Sequence, residues 1–237
     1  MTITDNNSRV WKIDSSQSER HEYLCAKLNI SSRLATILIN RGFNDYQSAH
    51  NFLHPSLHNL PDPFLMAGME LAVDRLILAF RQQERIFVFG DYDMDGISST
   101  TILVDYLRRT GFQVEYSIPS RLTDGYGLNS EAVKKAKASG AKLAITVDCG
   151  TSDYDEIVLA NSLGLDIIVT DHHQIPENLP PACAIINPHL TDCCYPDKGL
   201  AGVGVAFNLM MALRKGLRQS GLAKDVNLLQ YLDLVAM

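Results

Sequence analysis

The chain contains no apolar run approaching the roughly 18 to 20 residues that a helix needs to cross a bilayer. Its start, Met1-Thr-Ile-Thr-Asp-Asn-Asn7, lacks the basic and apolar blocks of a secretory signal. No membrane partner is expected, and the expected location is cytoplasmic. Cys-x-x-Cys pairs are also missing: the five cysteines are Cys25, Cys149, Cys183 and the adjacent Cys193 and Cys194. A zinc knuckle or a thioredoxin-type redox pair therefore has little to build on, and the thiols read as reduced ones. Positive charge is in deficit. Twenty-one Lys and Arg stand against 27 Asp and Glu, a formal net charge of -6, which argues against a protein that grips nucleic acid through a uniformly basic surface. A nuclease survives that test, because bound divalent cations reverse the local field at a carboxylate cluster. The basic groups that are present, Arg108-Arg109, Arg121, Lys134-Lys135 with Lys137, and Arg214-Lys215 with Arg218, fit mostly on solvated helix faces and helix C-termini. Internal repeats and low-complexity tracts are absent. At 237 residues the chain is long enough for one large domain, or one domain with a small appendage, around a real core.

What is present is an alternation of patterns. Residues 1–65 read as a helical, loop-rich lead-in, whose His50, His54 and His58 lie near proline with no neighbouring cysteine and read as surface residues or helix caps. From Met69 to Gln82 the apolar positions Leu71, Ala72, Leu76, Ile77 and Phe80 recur at helical spacing. Strands are then expected at 86–90, 113–118, 142–147 and 166–170, with a short apolar run at 182–186. Helices are expected between them at about 98–109, 130–139 and 153–163, and a last one at about 202–217 follows the glycine-rich Lys198–Gly204. Asn129-Ser130 and Thr151-Ser152 stand where helix caps are wanted. This order predicts an α/β fold over residues 66–237, a mostly parallel sheet covered by helices on both faces, behind the helical lead-in. Right-handed crossovers would leave every strand's C-terminal end on one rim.

Three of those strands end in groups that bind metals. Gly90-Asp-Tyr-Asp-Met-Asp-Gly96 follows Ile86–Phe89, Asp148-Cys-Gly150 follows Leu143–Val147, and Asp171-His172-His173 follows Asp166–Thr170. Carboxylates at Asp91, Asp93 and Asp95 would repel one another unless a cation compensates them, and the flanking glycines permit a tight turn and close approach of the backbone. An EF-hand is excluded: the twelfth position from Asp91 is Ile102, not Glu, and a strand precedes the run. Asp148 alone could be a turn cap and a histidine alone a core residue; their weight comes from sharing a rim. Carboxylates with imidazoles and no thiolate suit Mn²⁺ or Mg²⁺, and two such ions would neutralise a phosphate for hydrolysis.

The ordered motifs Gly90–Gly96, Arg121-Leu-Thr-Asp-Gly-Tyr-Gly127, Val147–Gly150, Val169–His173, Asn187-Pro188 and Gly199–Ala206 resemble those of the DHH phosphoesterase superfamily. The likeness is closest to its RecJ-type branch of single-strand-specific 5′ to 3′ DNA exonucleases and runs from about Trp11 onward. The resemblance implies an enzyme of DNA repair and recombination with two ions, Mn²⁺ or Mg²⁺, and single-stranded DNA as partner. It implies that Asp93, Asp95, Asp148 and His172 hold metal, with Asp148 bridging and Asp91 a further ligand. His173 would contact the scissile phosphate and Asp171 would orient a histidine. Arg121 would bind substrate phosphate, with an ion pair to Asp124 as its structural alternative, and Gly202 and Gly204 would offer amides to a phosphate, although tight turn geometry explains that loop equally well.

Two departures stand out. Met94 occupies a position where many relatives carry alanine. The chain also stops at Met237, before the segment in which such proteins supply a further metal-binding Asp, a role that Asp233 does not match. The expectation is an N-terminal DHH domain, C-terminally incomplete, an inactive or partial unit when alone, with a docking surface for the missing C-terminal domain. Two other readings stay open: a non-catalytic scaffold of the same fold, and a phosphodiesterase for small molecules or short oligonucleotides. The retained Asp and His set speaks against the first, and the Asp-Tyr-Asp-Met-Asp form, the lead-in and Arg121–Gly127 against the second.

Overall fold

The computed structural model describes residues 2–4, 10–12, 18–120, 127–222 and 225–237. The chain divides into two compact units, Met1–Leu60 and Pro61–Met237. In the first, strands β1 (Thr2–Thr4) and β2 (Val10–Lys12) pair antiparallel. Helices α1 (Ser18–Leu28), α2 (Ser32–Asn40) and α3 (Tyr46–Leu53) follow. Ser31 and Asp45 cap α2 and α3 by accepting the amides of Leu34 and Ser48, and Leu24, Ala35, Leu38, Ile39 and Ala49 form a small core. The short strand pair was not expected from the sequence, because three-residue strands carry too little periodicity to read.

The second unit opens with α4 (Met69–Gln82), the helix marked out by its apolar spacing. Then come β3 (Arg85–Gly90), α5 (Met94–Thr110), β4 (Gln113–Ser117), α6 (Ser130–Ala138), β5 (Leu143–Val147), α7 (Tyr154–Ser162), β6 (Asp166–Thr170), β7 (Ala184–Ile186), α8 (Gly202–Gln219) and α9 (Leu232–Val235). The five strands β3 to β7 form one parallel sheet in the order β4-β3-β5-β6-β7. Alternation along the strands splits the core in two. Ile86, Val88, Ile145, Val147 and Ile168 pack with α4, α5 and α8 on one face, and Phe87, Phe89, Ala144, Ile167 and Val169 with α6 and α7 on the other. The α/β expectation, with helices on both faces, is what the chain forms.

Two local expectations need correction. Helix α5 begins at Met94, not near Ser98, because Asp93 caps it by accepting the Gly96 amide at 3.0 Å. The acidic run is thus the start of a helix as well as a set of side chains, and it gains from the positive end of the dipole. Thr151 and Ser152 do not cap α7; Asp153 occupies its N-cap position without a capping bond, because its carboxylate accepts the Leu128 amide at 2.8 Å instead. Asn129 does cap α6, through the Ala132 amide at 2.9 Å.

Topology decides where chemistry can sit. The chain leaves β3 for β4 on one side and returns to β5 on the other, so the direction of winding reverses between β3 and β5. Gly90 pairs with Val147, Val147 with Thr170, and Thr170 with Ile186. The residues after these four, Asp91, Asp148, Asp171 and Asn187, therefore emerge side by side on one rim, at the crevice where open α/β sheets bind ligands. Ile145, at the centre of the sheet and fully buried, tests the core: Ile145→Ala should lower stability by about 2 to 5 kcal/mol, read as a lower urea midpoint with an unchanged slope.

Candidate metal centre

Asp91 leaves β3 with 2% of its surface exposed, and Asp148 leaves β5 with 1%. The Asp148 amide still bonds to Thr170 O at 2.9 Å, continuing the ladder, and then its φ of +61° turns the chain away. That left-handed backbone disfavours most side chains; Asp is among the few that tolerate it. Two glycines let the turns close. A Cβ at Gly96 would lie 2.5 to 2.6 Å from the Asp91 backbone, and one at Gly202 would lie 2.6 to 2.9 Å from the Asp148 side chain. The start of α8 is thus pressed against the carboxylate that ends β5.

Among the described residues two donor sets converge. Asp91, Asp93 and Asp148 bring carboxylate oxygens within 4.8 Å of one another, and Asp148, His172 and His173 form a second set by the same measure. Asp148 belongs to both. His172 Nε2 lies 3.1 Å from Asp148 Oδ1 and 3.5 Å from Asp95 Oδ2. Asp95 is engaged elsewhere as well: its Oδ2 and Oδ1 accept the amides of Gly202 and Val203 at 2.7 and 2.6 Å. The anion at the N-terminus of α8 is therefore the chain's own carboxylate. The Gly202 amide, expected from the resemblance to meet a substrate phosphate, is spent on Asp95. Gly204 lies buried in the first turn of α8, where a Cβ would sit 3.1 Å from Leu200. Arg121, the expected phosphate ligand, lies outside the described residues.

Asp171 faces inward. Its Oδ1 accepts the amides of His172 and His173 at 2.7 and 3.1 Å and lies 2.7 Å from His173 Nδ1, while Oδ2 accepts the Thr151 amide at 3.0 Å. One carboxylate thereby fixes the turn of both histidines and one imidazole face. Behind it Asn187, fully buried, donates to His173 O at 3.0 Å and to Thr151 Oγ1 at 3.2 Å. Sequence reasoning assigned Asn187 no role. The signal was the motif Asn187-Pro188 itself, a buried amide beside a turn-forming proline.

The electrostatics follow from crowding. Burial pushes the Asp148 carboxyl up to about 6, and the charges of Asp95 and Asp93 add to it against the opposing pull of the His172 imidazole. Burial also raises Asp91, with Asp93 contributing. At Asp171 burial acts upward too, but the bonds from Thr151 and His173 outweigh it and hold the group below the ordinary carboxylate range. His172 is raised, chiefly by Asp148. Asp91 Oδ1 and Asp148 Oδ1 are buried with no hydrogen-bond donor; the approach of His172 Nε2 to Asp148 Oδ1 has ion-pair distance without hydrogen-bond alignment. Buried carboxylate oxygens without donors are costly unless a cation meets them. A donor set of oxygen and imidazole nitrogen fits a hard divalent ion such as Mn²⁺ or Mg²⁺. Cys149 is buried, its thiol pushed well up by burial, and is unsuited to serve as a thiolate ligand.

Comparison with known proteins bears on this arrangement. Residues 85–237 match the family model described as DHH family, N-terminal domain. The single-stranded-DNA-specific exonuclease RecJ of Bacillus subtilis is 43% identical over 203 residues, covering 86% of this chain and 26% of that protein. The crystal structure of RecJ in complex with Mn²⁺ from Thermus thermophilus superposes with a TM-score of 0.70 at 33% identity, covering 92% of this chain and 29% of that one. The Mg²⁺ complex from the same organism gives 0.57 at 30%, covering 92% and 26%. The chain spans between 26% and 37% of the length of the curated RecJ proteins it matches.

Two predictions follow from the geometry. Without metal, Asp148→Asn should stabilise the chain. The carboxyl of Asp148 is raised from 3.8 to about 6, so the stability tied to its proton is present below about pH 4 and lost as pH rises through about 6. The gain from the substitution should therefore be of order 1 kcal/mol at about pH 8, after allowance for solvent screening, and near zero at about pH 4; thermal denaturation in chelator at both values checks it. Gly202→Ala should drive a methyl group into Asp148 and weaken Mn²⁺ binding by roughly 10- to 100-fold, as supporting residues of metal sites do, read by calorimetry while far-ultraviolet circular dichroism stays unchanged.

Proposed function

The chain belongs to the DHH family, and from that premise we propose that it carries the metal-binding part of a RecJ-type exonuclease that hydrolyses phosphodiesters in single-stranded DNA with two Mn²⁺ or Mg²⁺ ions. The observation that carries the reading is the meeting of Asp91, Asp93, Asp148, His172 and His173 around buried carboxylate oxygens that no donor satisfies. Asp91, Asp93 and Asp148 would hold one ion and Asp148, His172 and His173 would surround the other, with Asp95 against His172. Such ions polarise a phosphate and lower the pKa of bound water.

The chain's own residues account for the remaining requirements. Asp148 must be ionised to serve both sets, which the opposing pull of His172 assists. Asp171 holds His173 Nδ1, so that the ring stands at the rim in one orientation, suited to the scissile phosphate. The amides of α8 hold Asp95 with both oxygens engaged, so the carboxylate needs little reorganisation when a substrate arrives. Exposed Asp93, at the mouth of the crevice, leaves an open path to a flexible strand. In this reading Arg121 binds substrate phosphate, a further C-terminal domain of the whole protein docks over the rim, and the activity serves DNA repair and recombination in the cytoplasm. Among the described residues no helix is long and apolar enough to cross a membrane.

The test is release of nucleotides from 5′-labelled single-stranded DNA with Mn²⁺, beside a duplex control and a calorimetric Mn²⁺ titration. Metal binding is expected, with loss of affinity in Asp148→Ala greater than the roughly 10- to 100-fold typical of a supporting residue. Nucleotide release by the unaltered chain, abolished by the same substitution, makes the chain a minimal nuclease. A chain that binds neither Mn²⁺ nor single-stranded DNA would overturn the proposal.

A further inference from the structure

The turn after β7 ties the backbone of a third histidine to that of the pair. Asn187 Oδ1 accepts the His189 amide at 2.9 Å while Asn187 Nδ2 donates to His173 O at 3.0 Å. One fully buried side chain thus ties the backbone of His189 to the backbone of His173. Strands β6 and β7 are neighbours, and neighbouring strands lie about 4.8 Å apart, so His189 extends the rim by one strand on the side away from β3. The turn is rigid on both sides. Pro188 stands at its second position, the Leu190 amide closes it onto Asn187 O at 3.2 Å, and Lys198 Nζ braces it through Pro188 O and Cys193 O, each at 2.8 Å.

What the turn presents is a nitrogen-bearing ring beside an ammonium that is already turned toward backbone oxygens. The partly buried His189 imidazole makes no hydrogen bond or ion pair among the described residues, and the Lys198 ammonium behind it meets only carbonyl oxygens, no carboxylate. A buried polar brace that holds an unengaged imidazole in register with a catalytic-type turn is costly architecture for a surface loop alone. A polyanionic strand that sets one phosphate against the carboxylate centre must carry its next phosphate along the rim.

We propose that His189 is a substrate-contacting residue, held by Asn187 and backed by Lys198, that binds the phosphate adjacent to the one at the carboxylate centre. The assignment rests on the phosphodiester reading and adds to it a reason to prefer a chain of at least two phosphates over a mononucleotide.

The experiment measures anisotropy of a short fluorescent oligothymidylate on the whole chain in Ca²⁺, with thymidine 5′-monophosphate as a competitor titrated separately. His189→Ala should weaken oligonucleotide binding about tenfold, the effect of one charge-assisted hydrogen bond, and leave the mononucleotide constant and the Mn²⁺ affinity unchanged. His189→Gln, which keeps a donor, should recover part of the loss. Equal oligonucleotide affinity in His189→Ala overturns the proposal. An equal loss for the mononucleotide also overturns it, because the residue would then act on the centre itself. If the unaltered chain binds neither Mn²⁺ nor the oligonucleotide, the phosphodiester reading falls and this assignment falls with it; Mn²⁺ binding without oligonucleotide binding, or binding by both proteins with one constant, sinks the assignment alone.

Discussion

Two carboxylates kept almost out of water, Asp91 and Asp148, with a third at their side, impose the constraint around which the rim is built. Ionised together they repel, and burial makes each charge more expensive. The fold answers with positive elements that do not move. The N-terminus of α5 is capped by Asp93, the N-terminus of α8 donates two amides to Asp95, and His172 stands between Asp95 and Asp148. Even so, Asp148 is left with a carboxyl raised to about 6 and an oxygen without a donor. A metal ion is the species that such a residue of unsatisfied charge selects.

The same constraint explains the small residues nearby. Gly96 and Gly202 sit where a methyl group would collide with Asp91 and with Asp148, respectively, so the carboxylates are positioned by backbone rather than by soft side chains. Asp171 repeats the idea with hydrogen bonds: one side chain collects the amides of Thr151, His172 and His173 and orients an imidazole. Its carboxyl is held below the ordinary carboxylate range for that reason, whereas that of Asp148, where the donors are too few, is pushed up to about 6. Environment, not residue type, separates the satisfied carboxylate of Asp171 from the unsatisfied one of Asp148.

Much of this was legible in the chain before any coordinates. The shift from alternating to helical spacing located α4 to the residue and placed β3, β5 and β6 with their acidic ends, because strongly apolar strands bounded by Asp and Gly have few other readings. The start of α5 was misjudged because a capping carboxylate and a ligating one look the same in sequence: Asp93 is a cap by its bond to Gly96 and a donor by its place beside Asp91 and Asp148. Thr151 looked like a cap for α7 and is instead a link between Asp171 and Asn187. The engagement of Asp95 with Gly202 could not be read at all, since no local pattern connects residues 107 positions apart.

That separation matters for the order in which the molecule is made. The bond from Asp95 to the start of α8 closes a loop of more than a hundred residues, among the slowest kinds of contact to form. During synthesis the acidic run therefore leaves the ribosome long before the helix that will secure it. Until α8 forms, Asp95 lacks the two amides that hold it in the folded chain. Any ion shared by the two donor sets would thus be captured only once the sheet and the histidine turn are in place, since Asp148 and His172 lie far along the chain from Asp91 and Asp93.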